Sequence, residues 1–121
     1  MRKNGSVGLV TTMGALHAGH MALVKAASDD HPNVVATIFV NPTQFGNPDD
    51  LETYPRTEEA DLEMLRAAGV AAVLIPSVEE IYPDGDETIV ETTNLANVYH
   101  GIIRPGHYRG VATVVTKLFN I

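Results

Sequence analysis

The run TTMGALHAGHMALV, positions 11 to 24, carries two imidazoles three residues apart, His17 and His20, with glycines at 14 and 19. Side chains three apart on a helix face the same way. Near neutral pH an imidazole can donate a hydrogen bond to a phosphoryl oxygen or pass a proton to a leaving group. Glycine lets the backbone come close to a phosphate, and the amides at a helix start favour negative charge. The run is neither a G-x-G-x-x-G fingerprint nor a Walker loop, because no Lys-Ser/Thr follows Gly19. Spacing alone leaves two other accounts open: a purely structural His-x-x-His pair, or a zinc pair. The chain has no cysteine and no third ligand at fixed spacing, so no metal site is expected.

Two further stretches hold groups suited to small anions. VNPTQFG offers the amides of Asn41 and Gln44, which recognise carboxylates or hydroxyls by hydrogen bonds. Turn chemistry is the competing account of Asn41, since Asn-Pro opens turns. RPGHYRG brings Arg104, His107 and Arg109 together, and an arginine can fork onto a phosphate or a carboxylate. Surface ion pairs with the acidic segments are the alternative there.

These residues need elements to hold them. VGLVTT (7–12) is a β-branched apolar run and predicts a buried strand. Leu16, His20, Leu23, Val24 and Ala27 fall at helical spacing, which predicts a helix over about 17–28, broken by DDHPN. VVATIFV (34–40) is a nearly continuous apolar run, as in parallel sheets covered on both faces. NPTQFGNPDD reads as a loop. A helix is expected from Thr57 to about Ala68, with Leu62, Leu65 and Ala68 on one face and Gly69 as its stop. VAAVLIP reads as a third strand ended by Pro76, and TIVETT (88–93) as a further one. Val111, Val114, Val115, Leu118 and Phe119 predict a last amphipathic helix. Strand, helix, strand, helix, strand is the order of a doubly wound, Rossmann-like parallel α/β sheet, whose ligands bind beyond the carboxyl ends of the strands. The loops after strands one and two are thus expected on the same rim.

The whole chain is 121 residues, the size of one domain, and its net charge is −7. An acidic chain is poorly suited to nucleic acid, which demands clustered Lys and Arg. The local basic segment suits a small anion better; the acidic stretches are otherwise read as solvated faces. No apolar run reaches the roughly 20 residues of a membrane helix, and no secretory leader is visible. A cytoplasmic protein with neither membrane nor nucleic-acid partners is expected.

TTMGALHAGHMALV, IFVNPTQFG, DLETYPRT, PSVEEIYPDG and RPGHYRGVATVVTKLFN, in this order and spacing, resemble the pantothenate synthetase (pantoate–β-alanine ligase) family of the His-x-Gly-His nucleotidyltransferase superfamily. The resemblance runs from Val7 onward. It implies ATP-dependent joining of pantoate to β-alanine through pantoyl adenylate, releasing pyrophosphate and then AMP, with Mg2+ accompanying ATP. It implies ATP binding by Met13, Gly14, Ala15, Leu16, His17, Ala18, Gly19 and His20, with His17 and His20 catalytic and His20 the proton donor. It places Gln44, Met13 and Asn41 at pantoate and β-alanine, and leaves Arg104 and Arg109 as anion contacts. A proline usual before Thr-Met-Gly is Thr11 here. Family members also continue past KLFN into a Gly-x-Lys-Asp-x-Gln-Gln segment, a Ser-Ser-Arg loop and a C-terminal domain, and they form homodimers. Residues 1–121 are accordingly expected to be one partial nucleotide-binding domain, truncated before the C-terminal domain. A catalytically incomplete fragment that only binds ligand, or is structural, is the alternative to a working ligase.

Overall fold

The computed structural model of the chain describes residues 5–94 and 106–121. The elements along the chain are β1 (Val7–Thr12), α1 (Ala18–Asp30), β2 (Asn33–Ile38), a 3-10 turn (Pro42–Gln44), α2 (Pro48–Thr53), α3 (Glu58–Ala67), β3 (Ala72–Leu74), α4 (Val78–Ile81) and α5 (His107–Phe119). They fall into two compact units. The first comprises the described residues within Met1–Val40 and Pro55–Ile75, the second those within Asn41–Tyr54 and Pro76–Ile121.

The first unit is a parallel sheet in the order β1-β2-β3. Val7 pairs with Asn33 and Thr12 with Ile38, while Val35 pairs with Ala72 and Thr37 with Leu74. Parallel pairing brings the ends of β1 and β2 to one edge of the sheet, and each strand leads into a helix before the next. α1 packs on β1 and β2. Val10, Val24, Val34, Ala36, Ile38 and Leu65 form the core, flanked by Leu16, Met21, Ala27, Leu62, Val70 and Val73. The sheet is apolar because burial of each such side chain stabilises the fold by about 1.5–3 kcal/mol. Leu23, expected on the inner face of α1, is 57% exposed; Leu16 and Met21 pack against the core beside Val24.

Two expectations are corrected in the second unit. NPTQFGNPDD is not all loop. Asn41 caps the 3-10 turn, and Asn47 caps α2 with Pro48 at its first turn. The same Asn-Pro pairs that open turns also start helices, because proline needs no N–H there. TIVETT forms no strand. Among the described residues no strand pairs with it; Val90 instead pairs through its N–H and carbonyl with the Thr113 hydroxyl at 2.9 and 3.1 Å. α5 packs against the 3-10 turn and against α4 through its inner residues Gly110, Thr113, Val114 and Leu118, while Phe119 is exposed. Lys117 ties this unit further, reaching Asp86 at 2.8 Å and the Ile81 carbonyl at 3.0 Å.

Among the described residues, no helix is long and apolar enough to cross a membrane. One buried group in the sheet lacks a partner among them: the Thr37 hydroxyl, on a residue 1% exposed. Burying an unpaired hydroxyl is unfavourable. Thr37→Val is therefore expected to raise stability by about 1 kcal/mol, read as a higher urea midpoint at unchanged slope.

Candidate functional site

β1 ends at Thr12, which is stitched to β2 in both directions. Its hydroxyl donates to the Thr37 carbonyl at 2.8 Å, and its own carbonyl accepts from the Phe39 N–H at 3.0 Å. The same hydroxyl accepts from the Gly14 N–H at 3.1 Å. Half-buried Met13 follows the strand directly. The chain then turns through two left-handed residues, Gly14 at φ +79° and Ala15 at φ +51°. Such a conformation costs a non-glycine residue about 1–2 kcal/mol. It is held by a residue far along the chain. Asp61, on α3, accepts from the Ala15 N–H through Oδ2 and from the Leu16 N–H through Oδ1, each at 2.9 Å.

His17 has extended backbone and caps α1. Its Nδ1 accepts from the Gly19 N–H at 3.0 Å, and His20 Nδ1 accepts from the His17 N–H at 3.1 Å. This is a capping box with imidazoles in place of the usual hydroxyl and carboxylate. The rings lie 4.1 Å apart, tilted by 48°. A ring nitrogen that accepts from an N–H must offer its lone pair. In their neutral forms both rings therefore carry the proton on Nε2, and both can donate from Nε2 to an anion. The amides of Gly14, Ala15, Leu16, His17 and Gly19 already have partners inside the protein. The imidazoles, more than these amides, are the polar groups the turn offers to a ligand.

Partial burial lowers the His20 pKa below the ordinary imidazole value; the neighbouring His17 lowers it further and Asp61 opposes. A depressed imidazole pKa means that the unfolded chain binds the proton more readily than the fold does. Stability then rises with pH across the window from the folded value up to about 6.5. His20's contribution is full above that window and falls as the pH drops through it. The urea midpoint of the chain is expected to drop more on acidification than that of His20→Gln. Nitrogen-15 spectra should show both neutral rings as Nε2–H tautomers; an Nδ1–H tautomer at either would contradict the capping geometry.

In the second unit the Asn41 side chain is 1% exposed and fully engaged. Its Oδ1 accepts from the Thr43 N–H, the Thr43 hydroxyl and the Tyr82 hydroxyl at 3.3, 2.9 and 2.7 Å. Its Nδ2 donates to Gln44 Oε1 at 3.1 Å and to the Gly110 carbonyl at 3.0 Å. Gln44 is half-buried, with its Oε1 turned to Asn41 and Nε2H2 as its donor end. His107 Nδ1 lies 3.1 Å from the Gln44 carbonyl and so must donate to it. Gly110 allows this packing: a Cβ there would sit 2.9 Å from the N and Cα of Gln44. Arg109 is exposed on α5, and Arg104 lies outside the described residues.

Asp61, Tyr82 and Gly110 were not legible as site residues. Asp61 had one signal: it stands four residues before Leu65, on the face of α3 that is buried. Among the described residues no three His, Cys, Asp or Glu side chains come together to hold a metal.

A parallel α/β sheet whose first strand runs into a His-x-Gly-His turn defines a nucleotidyltransferase-type protein. The sequence matches the Pantoate-beta-alanine ligase family over residues 1–121, and the chain belongs to that family. It is 58% identical over 116 residues to a pantothenate synthetase of Acidobacterium capsulatum, covering 96% of this chain and 39% of that protein. With the Ruegeria sp. (strain TM1040) pantothenate synthetase it shares 54% over 119 residues, 98% of this chain and 42% of the relative. A crystal structure of pantothenate synthetase from Thermus thermophilus superposes with a TM-score of 0.90 at 50% identity, over 94% of this chain and 42% of that one. The pantoate-beta-alanine ligase of Francisella tularensis, crystallised with beta-gamma ATP and beta-alanine, gives 0.92 at 44% identity, over 98% and 46%. The chain thus spans about two fifths of the relatives it matches.

Proposed function

We propose that these residues contribute the phosphate-facing imidazoles and a pantoate-facing amide to an enzyme that joins pantoate to β-alanine using ATP. Family membership over the whole chain supports the reading, and the paired Nε2–H donors of the His17–His20 capping box are the observation that carries it. In the first step a pantoate carboxylate oxygen attacks the α-phosphorus of ATP. The bond to the bridging oxygen breaks and pyrophosphate leaves. In the second, the β-alanine amine attacks the acyl carbon, loses a proton, and AMP leaves.

Charge builds on the phosphate oxygens as pyrophosphate departs. Preorganised donors aimed at that charge lower the barrier, with no reorganisation at the moment of reaction. His17 and His20 provide such donors through their Nε2–H groups. Gln44, oriented by Asn41, supplies an N–H donor to the pantoate carboxylate or a hydroxyl; Asn41 acts through Gln44. On the family resemblance Met13 is a candidate pantoate contact, and Arg104 and Arg109 are candidate anion contacts. Mg2+ belongs to this reading as the ion that would accompany ATP.

The test is pantoate-dependent exchange of labelled pyrophosphate into ATP by the 121-residue chain with magnesium, beside proton NMR of its imidazoles. Saturable ATP-induced shifts of the His17 and His20 signals, together with exchange that needs pantoate, are expected. Imidazole shifts without exchange would favour binding without turnover, a reading consistent with a chain that spans about two fifths of its relatives. A folded chain whose imidazoles ignore millimolar ATP would overturn the proposal.

A further inference from the structure

Asp61 is 2% exposed. An aspartate is rarely so buried unless its oxygens are matched by donors. Here the donors are mostly backbone. Oδ2 takes the Ala15 N–H, and Oδ1 takes the Leu16 N–H and, at 3.2 Å, the Thr57 hydroxyl. Ala15 and Leu16 lie 46 and 45 residues away in sequence, immediately before the residue that caps α1. Successive amides in a left-handed turn form a concavity that attracts anions. In this chain the anion is built in.

The fit is close on the other side as well. A Cβ on Gly14 would stand 3.0 Å from Asp61 Oδ2, so glycine leaves room for the carboxylate as well as allowing φ +79°. Ala15, at φ +51°, is the one non-glycine residue with positive φ among the described residues. Strained residues persist where their surroundings over-determine them. The carboxylate clamps the amides of Ala15 and Leu16, and the backbone direction it fixes passes straight into His17.

We infer that Asp61 is a positioning residue: from inside the protein it fixes the Gly14–Leu16 turn, and through that turn the direction in which His17 and His20 present their Nε2–H groups. Its catalytic meaning rests on the ligase reading above; its structural content does not. The groups bearing on the His20 imidazole are His17 and Asp61, the first opposing and the second favouring its charged form. Removing the Asp61 charge should therefore move the His20 titration, whereas a carboxylate that merely filled space would leave it in place.

The experiment compares the 121-residue chain with Asp61→Asn, which keeps the size of the side chain but turns an NH2 group toward one of the two backbone N–H donors. In the folded variant the Ala15 and Leu16 amides are expected to exchange with solvent at least tenfold faster. His20 is expected to titrate at lower pH than in the parent. A folded Asp61→Asn protein with both amides still protected and His20 unmoved overturns the inference. Should the variant not fold, the parent decides: the Ala15 and Leu16 amides must be protected from solvent exchange and show through-hydrogen-bond coupling to the Asp61 carboxyl carbon, and unprotected, uncoupled amides overturn it.

Pyrophosphate exchange supplies the catalytic arm. Asp61→Asn is expected to lower kcat at least tenfold with a smaller change in the KM for ATP, since misplaced groups affect the transition state most. Exchange by the parent with kcat unaltered in the variant removes the catalytic role. No exchange by the parent, with imidazoles that also ignore ATP, sinks the ligase reading instead, and the NMR results still judge the positioning of the turn.

Discussion

On the ligase reading proposed above, His20→Ala is expected to lower the kcat of pantoate-dependent pyrophosphate exchange about 10²–10³-fold, the usual consequence of deleting one donor aimed at developing charge. The fold survives, because the group lost in the ground state is the cap partner of a single exposed N–H, that of His17. Loss of such a cap costs about 1 kcal/mol, which lowers Tm by about 4 °C in a chain of this size. His17→Ala is the informative contrast. It removes the acceptor for the Gly19 N–H at the start of α1 as well as a phosphate-facing donor, so exchange and stability fall together. Parallel measurements of exchange and thermal unfolding on both variants check this. Near-normal exchange in folded His20→Ala would remove His20 from the chemistry.

The legible parts of this chain are those whose causes are local in sequence. The β-branched run 7–12, the apolar run ending β2 and the 3.6-residue period of α5 each declare an element, since burial on one or both faces is enough to form it. His17 and His20 were visible for the same reason: helical spacing of two chemically capable side chains. Illegible were features whose partners are distant. Asp61 reads as an acid in the first turn of α3, where carboxylates are common, and nothing nearby announces Ala15 and Leu16. Tyr82 meets Asn41 across 41 residues, and Asn41 meets Gly110 across 69. Propensity misled in residues 88–93, whose β-branched residues pair with no strand among the described residues. Asn47-Pro48 was ambiguous because one dipeptide starts both turns and helices.

Asn41→Leu lowers stability by about 3–5 kcal/mol, a loss beyond the common range of single substitutions and characteristic of a broken buried network. The two side chains share their heavy-atom count and branching, so the effect is mainly one of hydrogen bonds, with some overpacking by leucine's bulkier methyl groups at a site 1% exposed. Leucine removes the acceptor shared by the Thr43 N–H, the Thr43 hydroxyl and the Tyr82 hydroxyl, and the side-chain donor to the carbonyl of buried Gly110. It also frees the Gln44 amide, whose Oε1 is oriented by Asn41, so pantoate recognition should weaken as well. Gly110→Ala separates shape from bonding at the same place. Its new Cβ meets the Thr43 carbonyl carbon and the Gln44 N and Cα at 2.9 Å, and backbone atoms cannot swing aside as a side-chain tip can. Overpacking of that kind costs about 1–3 kcal/mol. Urea unfolding of both variants gives the order: Asn41→Leu below Gly110→Ala means that the amide network holds the 3-10 turn against α5. The reverse order, with Asn41→Leu costing less than about 1 kcal/mol, means that close packing at Gly110 does so and that Gln44 needs no amide behind it.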